Sequence, residues 1–335
     1  MVTELLFNKK LRYTKKGIAI GALGGMLWGL GGVIMAIAFG YEPFASYSEL
    51  SLYIVPLVGA CLGDLFAALL TFCINCKKGK SKEYLRVLRT KPGMIICLAS
   101  LFGGPIAMSG YYCGLYLAGP FYTMAITAIY PAIGAILARI FLKEKITRNT
   151  WIGIFFCVVG AIVVTYAGPT GDSYPHFALG IVACILATIG WGMEGVVCAY
   201  GMDLVDPDLA IGIRWGTSFL AYFIFVLPFV AGFGISGYKL FAAAFTSPWT
   251  VILVIAAFIN GISYFWYYNA VNRTGASRAM ALMITYSLWG VVFGWIFYGS
   301  VSITWNIVVG AIVIFVGAVF VAGKPSEILN VRENN

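Results

Sequence analysis

Continuous apolar runs constrain this chain more than any other feature. Ten of them follow one another along the 335 residues, each roughly 18–24 residues long and separated by short links. A helix of that length crosses the ~30 Å hydrocarbon core of a bilayer, whereas membrane β-strands alternate in polarity over about ten residues. The sequence therefore predicts an all-α integral membrane protein with ten transmembrane helices. The predicted spans, numbered 1 to 10, are 17–39, 52–74, 94–117, 121–141, 150–167, 177–200, 209–231, 249–271, 279–298 and 304–323.

The basic residues are concentrated in alternate links. All but three of the 22 Lys and Arg residues fall in the N-terminal segment, in the links after spans 2, 4 and 8, or in the C-terminal tail. Such a bias marks the cytoplasmic side, so we expect both termini and link 76–92 there and links 41–51 and 168–176 outside. This placement also explains the net charge of +9 without a nucleic-acid-binding patch. The link after span 6 is expected on the cytoplasmic side although it is acidic, because acidic residues contribute little to this rule.

A short motif occurs twice in the chain. Trp191-Gly192-Met193-Glu194-Gly195-Val196 in span 6 repeats Trp28-Gly29-Leu30-Gly31-Gly32-Val33 in span 1, with Glu194 in the place of Gly31. Further pairs follow at a constant spacing, such as Tyr130 with Tyr286. Because five spans per repeat reverse the orientation, the sequence predicts two inverted repeats, 17–168 and 177–323, between an N-terminal segment (1–16) and a tail (324–335). Inverted repeats are a common plan of secondary transporters.

The first repeat also resembles a known family. Pro131, followed after twelve residues by Glu144 and then by Gly153 and Gly160, is similar to the signature of the drug/metabolite transporter superfamily, specifically of its ten-helix EamA-like members. The resemblance covers roughly 17–323. It implies that spans 1, 3, 4, 6, 8 and 9 line a central cavity and that spans 5 and 10 are peripheral. The second repeat departs from the signature, since Ser287 and Ser300 replace the proline and the glutamate.

Two carboxyl groups lie deep within predicted spans, Asp64 in span 2 and Glu194 in span 6. Intramembrane acids commonly mark substrate or proton pathways; the alternative is a hydrogen-bonded carboxyl that locks helix packing. Glu194 has no Lys or Arg in its own span, and Arg214 is expected at a helix end. We therefore predict that Glu194 lacks a cationic partner and couples transport to protons, with Asp64 as the second candidate. Glu144 is expected at a cytoplasmic helix end, paired with a neighbouring Lys or Arg.

Aromatic residues recur on the predicted cavity faces. The predicted substrate-binding residues are Trp28, Tyr112, Trp191, Glu194, Tyr264 and Tyr268. Aromatic walls beside one acid suit amines, quaternary ammonium compounds or aromatic amino acids, because cations are attracted to ring faces. The alternative is that these rings fill helix contacts or belt the membrane interface.

These observations predict a secondary active transporter of a small organic metabolite in the plasma membrane of a bacterium, coupled to protons or working as an exchanger. It is expected to be no enzyme, and neither a metal nor a cofactor is predicted. A non-transporting membrane enzyme or scaffold is the alternative, disfavoured because the chain has one histidine. An anion carrier is the third possibility and would require a cation in the core. The substrate's identity, the direction of transport and the oligomeric state stay open.

Overall fold

A computed structural model describes residues 2–47, 54–118, 123, 126–166, 176–230, 236–298 and 304–322. Within these ranges the chain is helical and contains no strand. The helices are α1 Val2–Phe39, α2 Ile54–Lys77, α3 Ser81–Leu88, α4 Lys91–Leu101, α5 Ala107–Leu117, α6 Tyr130–Phe141, α7 Arg148–Thr165, α8 Phe177–Gly201, α9 Pro207–Ala221, α10 Leu227–Val230, α11 Gly237–Thr246, α12 Thr250–Thr274, α13 Ala276–Met283, α14 Tyr286–Tyr298 and α15 Trp305–Ala322.

Eight stretches of the described chain are long and apolar enough to cross a membrane, and they coincide with predicted spans 1–3 and 6–10. The protein is therefore an integral membrane protein. Spans 4 and 5 correspond to the shorter apolar helices Tyr130–Phe141 and Arg148–Val164. Parts of both predicted spans, and all of the predicted outer link 168–176 except its last residue, lie outside the described residues. Helix α1 begins well before span 1, so the basic N-terminal segment continues the first spanning helix.

Two of the spanning segments contain a turn of π-helix. One separates α4 from α5 at Phe102–Ile106 and contains Pro105; the other separates α9 from α10 at Tyr222–Val226. Such turns disturb the regular hydrogen-bond ladder and free carbonyl groups. The carbonyls of Gly103 and Gly104 accept hydrogen bonds from side chains of other helices, so this turn connects three helices.

The helices pack in pairs that join the two halves of the chain: α1 with α12, α5 with α8, α2 with α9, and α7 with α15. Small residues allow the close approach. A Cβ atom on Gly153 of α7 would lie 2.7 Å from the Gly317 carbonyl oxygen of α15, and one on Gly310 would lie 2.8 Å from the Gly160 carbonyl oxygen. Membrane helices associate through such contacts because lipid offers no hydrophobic drive for association.

A polar network closes one end of the bundle. Lys78 and Lys80, which follow α2, lie 2.7 and 3.2 Å from Asp208 Oδ2 at the start of α9, and Lys80 also pairs with Asp206 at 2.8 Å. Asn75 of α2 donates to the Asp208 carbonyl at 2.7 Å. The acidic link after span 6 is thus the partner of the basic link after span 2, which explains its departure from the charge pattern.

Candidate functional site

The site centres on three buried charged side chains from three helices. Arg214 of α9 donates from Nε to Glu194 Oε1 of α8 at 2.8 Å, and its Nη1 lies 3.7 Å from Asp64 Oδ1 of α2. The side chains of Arg214 and Glu194 are 2% and 3% exposed, and that of Asp64 is 11% exposed. Buried charges in a membrane protein are normally paired in this way. One guanidinium therefore serves two carboxyl groups, with a short contact to only one of them.

This arrangement corrects two expectations from the sequence. The prediction that Glu194 has no cationic partner is wrong, and so is the placement of Arg214 at a helix end facing the cytoplasm. Arg214 lies in the second turn of α9, but its side chain points into the bundle. A long Arg side chain near a helix end commonly extends towards the interface. Here the two acids on neighbouring helices supply the inward partners, which the linear sequence does not reveal.

Aromatic rings enclose the guanidinium. Its Cζ lies 4.1 Å from the ring centroid of Trp215 and 4.9 Å from that of Tyr264. Cations over ring faces are attracted by the ring quadrupole, most strongly where water is excluded. Tyr264 in turn lies 4.7 Å from Trp28, centroid to centroid. Two of the predicted cation-binding residues, Glu194 and Tyr264, thus already contact a cation of the protein itself.

Next to the charged triad is a small cavity. Its volume is about 30 Å³, enough for roughly one water molecule rather than for an organic ligand. Glu194 and Tyr264 belong both to this cavity and to the surroundings of Arg214. The cavity is lined by Trp28, Tyr130, Trp191, Glu194, Tyr264, Tyr267 and Met283.

The predicted site residues are therefore only partly brought together. Trp28, Trp191, Glu194 and Tyr264 line one cavity. Tyr268 lies behind it, fully buried, with its hydroxyl donating to Glu194 Oε1 at 3.4 Å. Tyr112 is absent from the cavity lining among the described residues; it packs on the apolar cluster around Tyr222 instead. Asp64 contacts the triad but not the cavity.

Several residues of the site were missed from the sequence, above all Arg214 of the charged triad and the lining residues Tyr130 and Tyr267. An arginine five residues inside an apolar run was a signal for the first of them. Tyr130 begins α6, and its hydroxyl donates to the Met280 carbonyl of α13 at 3.2 Å. Its ring lies 6.0 Å from that of Trp191, centroid to centroid. The repeat pairing of Tyr130 with Tyr286 pointed to this residue without assigning it a role.

Trp191 is held in place from behind by the π-turn. Its indole Nε1 donates to the Gly103 carbonyl at 3.2 Å, which fixes one edge of a ring that lines the cavity. Gly103 also permits the approach of Glu194, because a Cβ atom at this position would overlap the Glu194 carboxyl group. A Cβ atom on Gly31 would likewise overlap the side chain of Asn260. Both contacts require a residue without a side chain.

Glu144 forms a contact that the sequence did not predict. Its carboxylate binds the first turn of α13, and its backbone carbonyl accepts a hydrogen bond from Arg139 Nη1 at 3.1 Å. Glu144 accepts from the backbone N–H groups of Ala276 and Ser277 at 2.7 and 3.2 Å and from Ser277 Oγ at 2.7 Å. Gly275, with a φ of 89°, makes the sharp turn that exposes these groups. A carboxylate is favoured at a helix N-terminus, so Glu144 connects the two halves structurally.

Among the residues that the structure describes, no group of three or more His, Cys, Asp and Glu side chains is arranged to hold a metal ion.

Comparison with known proteins relates this geometry to a family. The profile of the EamA-like transporter family matches residues 15–166 and 178–323. Protein LicB of Haemophilus influenzae is 25% identical over 288 residues, which cover 84% of this chain and 89% of LicB. The uncharacterized transporter YetK of Bacillus subtilis is 28% identical over 194 residues, 56% of each chain. A crystal structure of another protein matches with a TM-score of 0.68 at 16% identity, over 91% of this chain and 94% of that one; at this identity the likeness concerns the fold.

Proposed function

The chain belongs to the EamA-like transporter family, and from this premise we propose that it is a secondary active transporter of a small organic cation. The observation that carries the proposal is the cavity in which Glu194 faces Trp28, Trp191 and Tyr264. A carboxylate supplies the countercharge of an ammonium group, and the rings attract it through their faces. Amines, quaternary ammonium compounds and cationic forms of amino acids share this chemistry.

The mechanism we propose is alternating access. A cavity of about 30 Å³ is smaller than an organic cation, so the walls have to separate before substrate enters. Two inverted five-helix repeats in a ten-span topology are part of this proposal. The pairing of α1 with α12 and of α5 with α8 supports it, because exchange of the two halves converts one pair into the other. The helices that begin at Tyr130 and Tyr286 are a second pair of equivalents.

The network of Lys78, Lys80, Asp206 and Asp208 is proposed as the closure on the cytoplasmic side. Both termini are placed on that side by the charge pattern of the links. The membrane is proposed to be a bacterial plasma membrane, which the relatives from Haemophilus influenzae and Bacillus subtilis support.

An anion carrier requires separate treatment, because Arg214 does place a cation in the core. Two carboxyl groups share this one guanidinium, so the site has no excess positive charge to offer an anion. An anion would also meet the carboxylate of Glu194 in the cavity wall, and like charges repel strongly where water is excluded. A cation is therefore the substrate that the site favours.

The test is a thermal-shift screen of purified protein with matched ligands. Choline and its uncharged carbon isostere dimethylbutanol have nearly the same shape and differ in charge. We expect choline, or another amine of the screen, to raise the melting temperature, and the uncharged isostere to leave it unchanged. Glu194→Gln is expected to abolish the shift, whereas Glu83→Gln, at an exposed acid of α3, is expected to preserve it. Equal shifts with the charged and uncharged ligands would contradict the proposal.

A further inference from the structure

We propose that Arg214 occupies the cation site of the empty transporter and moves to Asp64 when substrate binds, so that the proton on Asp64 is exchanged for the substrate cation. This inference rests on the proposed function and deepens it. It makes Arg214 a positioning residue that competes with the substrate, and Asp64 the proton carrier.

The first argument is that Arg214 and the substrate need the same partners. The guanidinium uses Glu194 Oε1 at 2.8 Å and the face of Tyr264 at 4.9 Å. Both residues also line the cavity, where they are the acid and one of the rings available to an ammonium group. Glu194 lies between two cation positions, and one carboxylate neutralises one cation. A bound ammonium group therefore displaces the guanidinium from Glu194.

The second argument is a count of charges. The triad contains two acids and one base in surroundings that disfavour net charge. Glu194 has the short contact with Arg214 and also accepts from Tyr268. Asp64 is 3.7 Å from the guanidinium, and its Oδ2 is buried without a hydrogen-bond partner. A buried polar atom without a partner is least costly in the neutral state of its group, so the empty triad is neutral when Asp64 carries a proton.

The other titratable groups that face the triad do not disturb this count. They are phenols and thiols, which are neutral below about pH 8. They come from α2, α5, α8 and α12, from the start of α6 and from the second π-turn. They are Cys61, Tyr112, Tyr130, Cys198, Tyr222, Tyr264, Tyr267 and Tyr268.

The third argument is that the second position of Arg214 lies within reach. Its Nη1 is already 3.7 Å from Asp64 Oδ1 and has no hydrogen-bond partner. A change of side-chain torsion therefore suffices to turn the long contact into a hydrogen-bonded one. In the loaded state the substrate pairs with Glu194 and Arg214 pairs with ionised Asp64. The proton leaves to water, so one cation enters for one proton released and the site stays neutral.

The first experiment needs no ligand. Infrared spectra of the purified protein near pH 7 resolve the carbonyl stretch of a protonated carboxylic acid from the carboxylate bands. We expect one buried carboxylic-acid band, which Asp64→Asn removes and Glu83→Gln leaves unchanged. Arg214→Gln is expected to add a second band, because Glu194 then also becomes neutral. A wild-type spectrum without a band assignable to Asp64 would overturn the inference, whether or not any cation is transported.

The second experiment measures binding of choline, or of the amine found in the thermal-shift screen, together with proton release reported by a dye in weak buffer. Wild-type protein is expected to release about one proton per bound cation, as the neutral triad requires. Asp64→Asn should abolish this release and weaken binding on the order of a hundredfold, because the displaced Arg214 stays uncompensated. Adding Arg214→Gln to Asp64→Asn should restore both proton release and binding affinity. In this double variant Glu194 is the one remaining charged group of the triad, and it exchanges its own proton for the cation.

The double variant distinguishes this exchange from a merely structural triad. Residues of one network can compensate one another in stability. The readouts are therefore cation binding and proton release, which a purely structural triad does not couple. Melting curves and gel filtration confirm that each variant is folded. Wild-type binding and proton release in Asp64→Asn, or failure of the folded double variant to recover, would overturn the inference. Absence of any cation binding to the wild type, with the Asp64 infrared band present, would contradict the proposed substrate class alone.

Discussion

Gly103→Ala tests the geometry of the site by adding one methyl group outside it. A Cβ atom at this position lies 2.5 Å from Glu194 Oε1 and closer still to the carboxyl carbon. Because non-bonded atoms are comfortable only from about 3.5 Å, the carboxylate has to retreat by at least about 1 Å. A carboxylate displaced by that much no longer reaches hydrogen-bonding distance of an ammonium group bound in the cavity that Glu194 lines.

The size of the effect follows from the contact between Glu194 and the bound cation that is lost. A hydrogen bond to a charged group contributes about 1.5–3 kcal/mol, which corresponds to roughly 10- to 150-fold in affinity. We expect Gly103→Ala to weaken cation binding by a factor in this range, measured by isothermal titration calorimetry or as the shift in melting temperature against ligand concentration.

The chain offers two matched controls for this experiment. Gly31→Ala creates a comparable overlap, with a Cβ atom 2.6 Å from Asn260 Cγ, but it displaces a neutral amide. Gly32→Ala adds the same methyl group where nothing lies within 4 Å. Both are expected to change affinity by less than about threefold, because neither displaces a charged group that the cation contacts. Wild-type affinity in Gly103→Ala, or an equal loss in Gly31→Ala, would refute the assignment of Glu194 to the cation site.

Three further predictions concern the cavity wall, the connection between the halves and the topology. Trp191→Ala should weaken cation binding by about 2 kcal/mol, or roughly thirtyfold, while Trp295→Ala on an exposed face of α14 leaves binding unchanged; calorimetry compares the two. Glu144→Ala should lower the melting temperature in detergent and leave cation affinity in the surviving protein intact, because it removes about 2–4 kcal/mol of contacts to buried N–H groups; a large affinity change without destabilisation would contradict the structural role. A cysteine at Ser81 should react with impermeant maleimide only after the cells are opened, and labelling in intact cells would reverse the proposed orientation.

The contrast between Glu194 and Arg214 shows how far the sequence leads towards the site. Both residues interrupt apolar runs, and each such interruption is visible in the linear chain. Their pairing is not visible, because it depends on the rotation of α8 and α9 about their own axes. A rotation of a helix by one residue changes the direction of a side chain by about 100°. Charge counting along the chain therefore identified the acid and assigned it the wrong surroundings.

Tyr112 illustrates the same limit for the aromatic wall. The sequence placed Tyr112 on a predicted cavity face of span 3. The π-turn at Phe102–Ile106, just before it in the chain, shifts the register of that helix. Tyr111 is the neighbour that contacts Trp191, at 5.5 Å between ring centroids. The prediction assumed a regular α-helix. A π-helical turn adds a residue to the helix, and this is sufficient to turn the following side chains away from the predicted face.

The sequence by itself determined that this is a helical integral membrane protein, where its eight long apolar helices lie, and that Asp64 and Glu194 lie buried. Each of these properties follows from local hydrophobicity, because a bilayer selects its helices by length and polarity. Only the tertiary structure decided that Arg214 joins the two acids, that Glu144 binds the start of α13, and that the basic and acidic links form one network. These contacts depend on which faces of distant helices meet, and that is set by packing between small residues far apart in the chain.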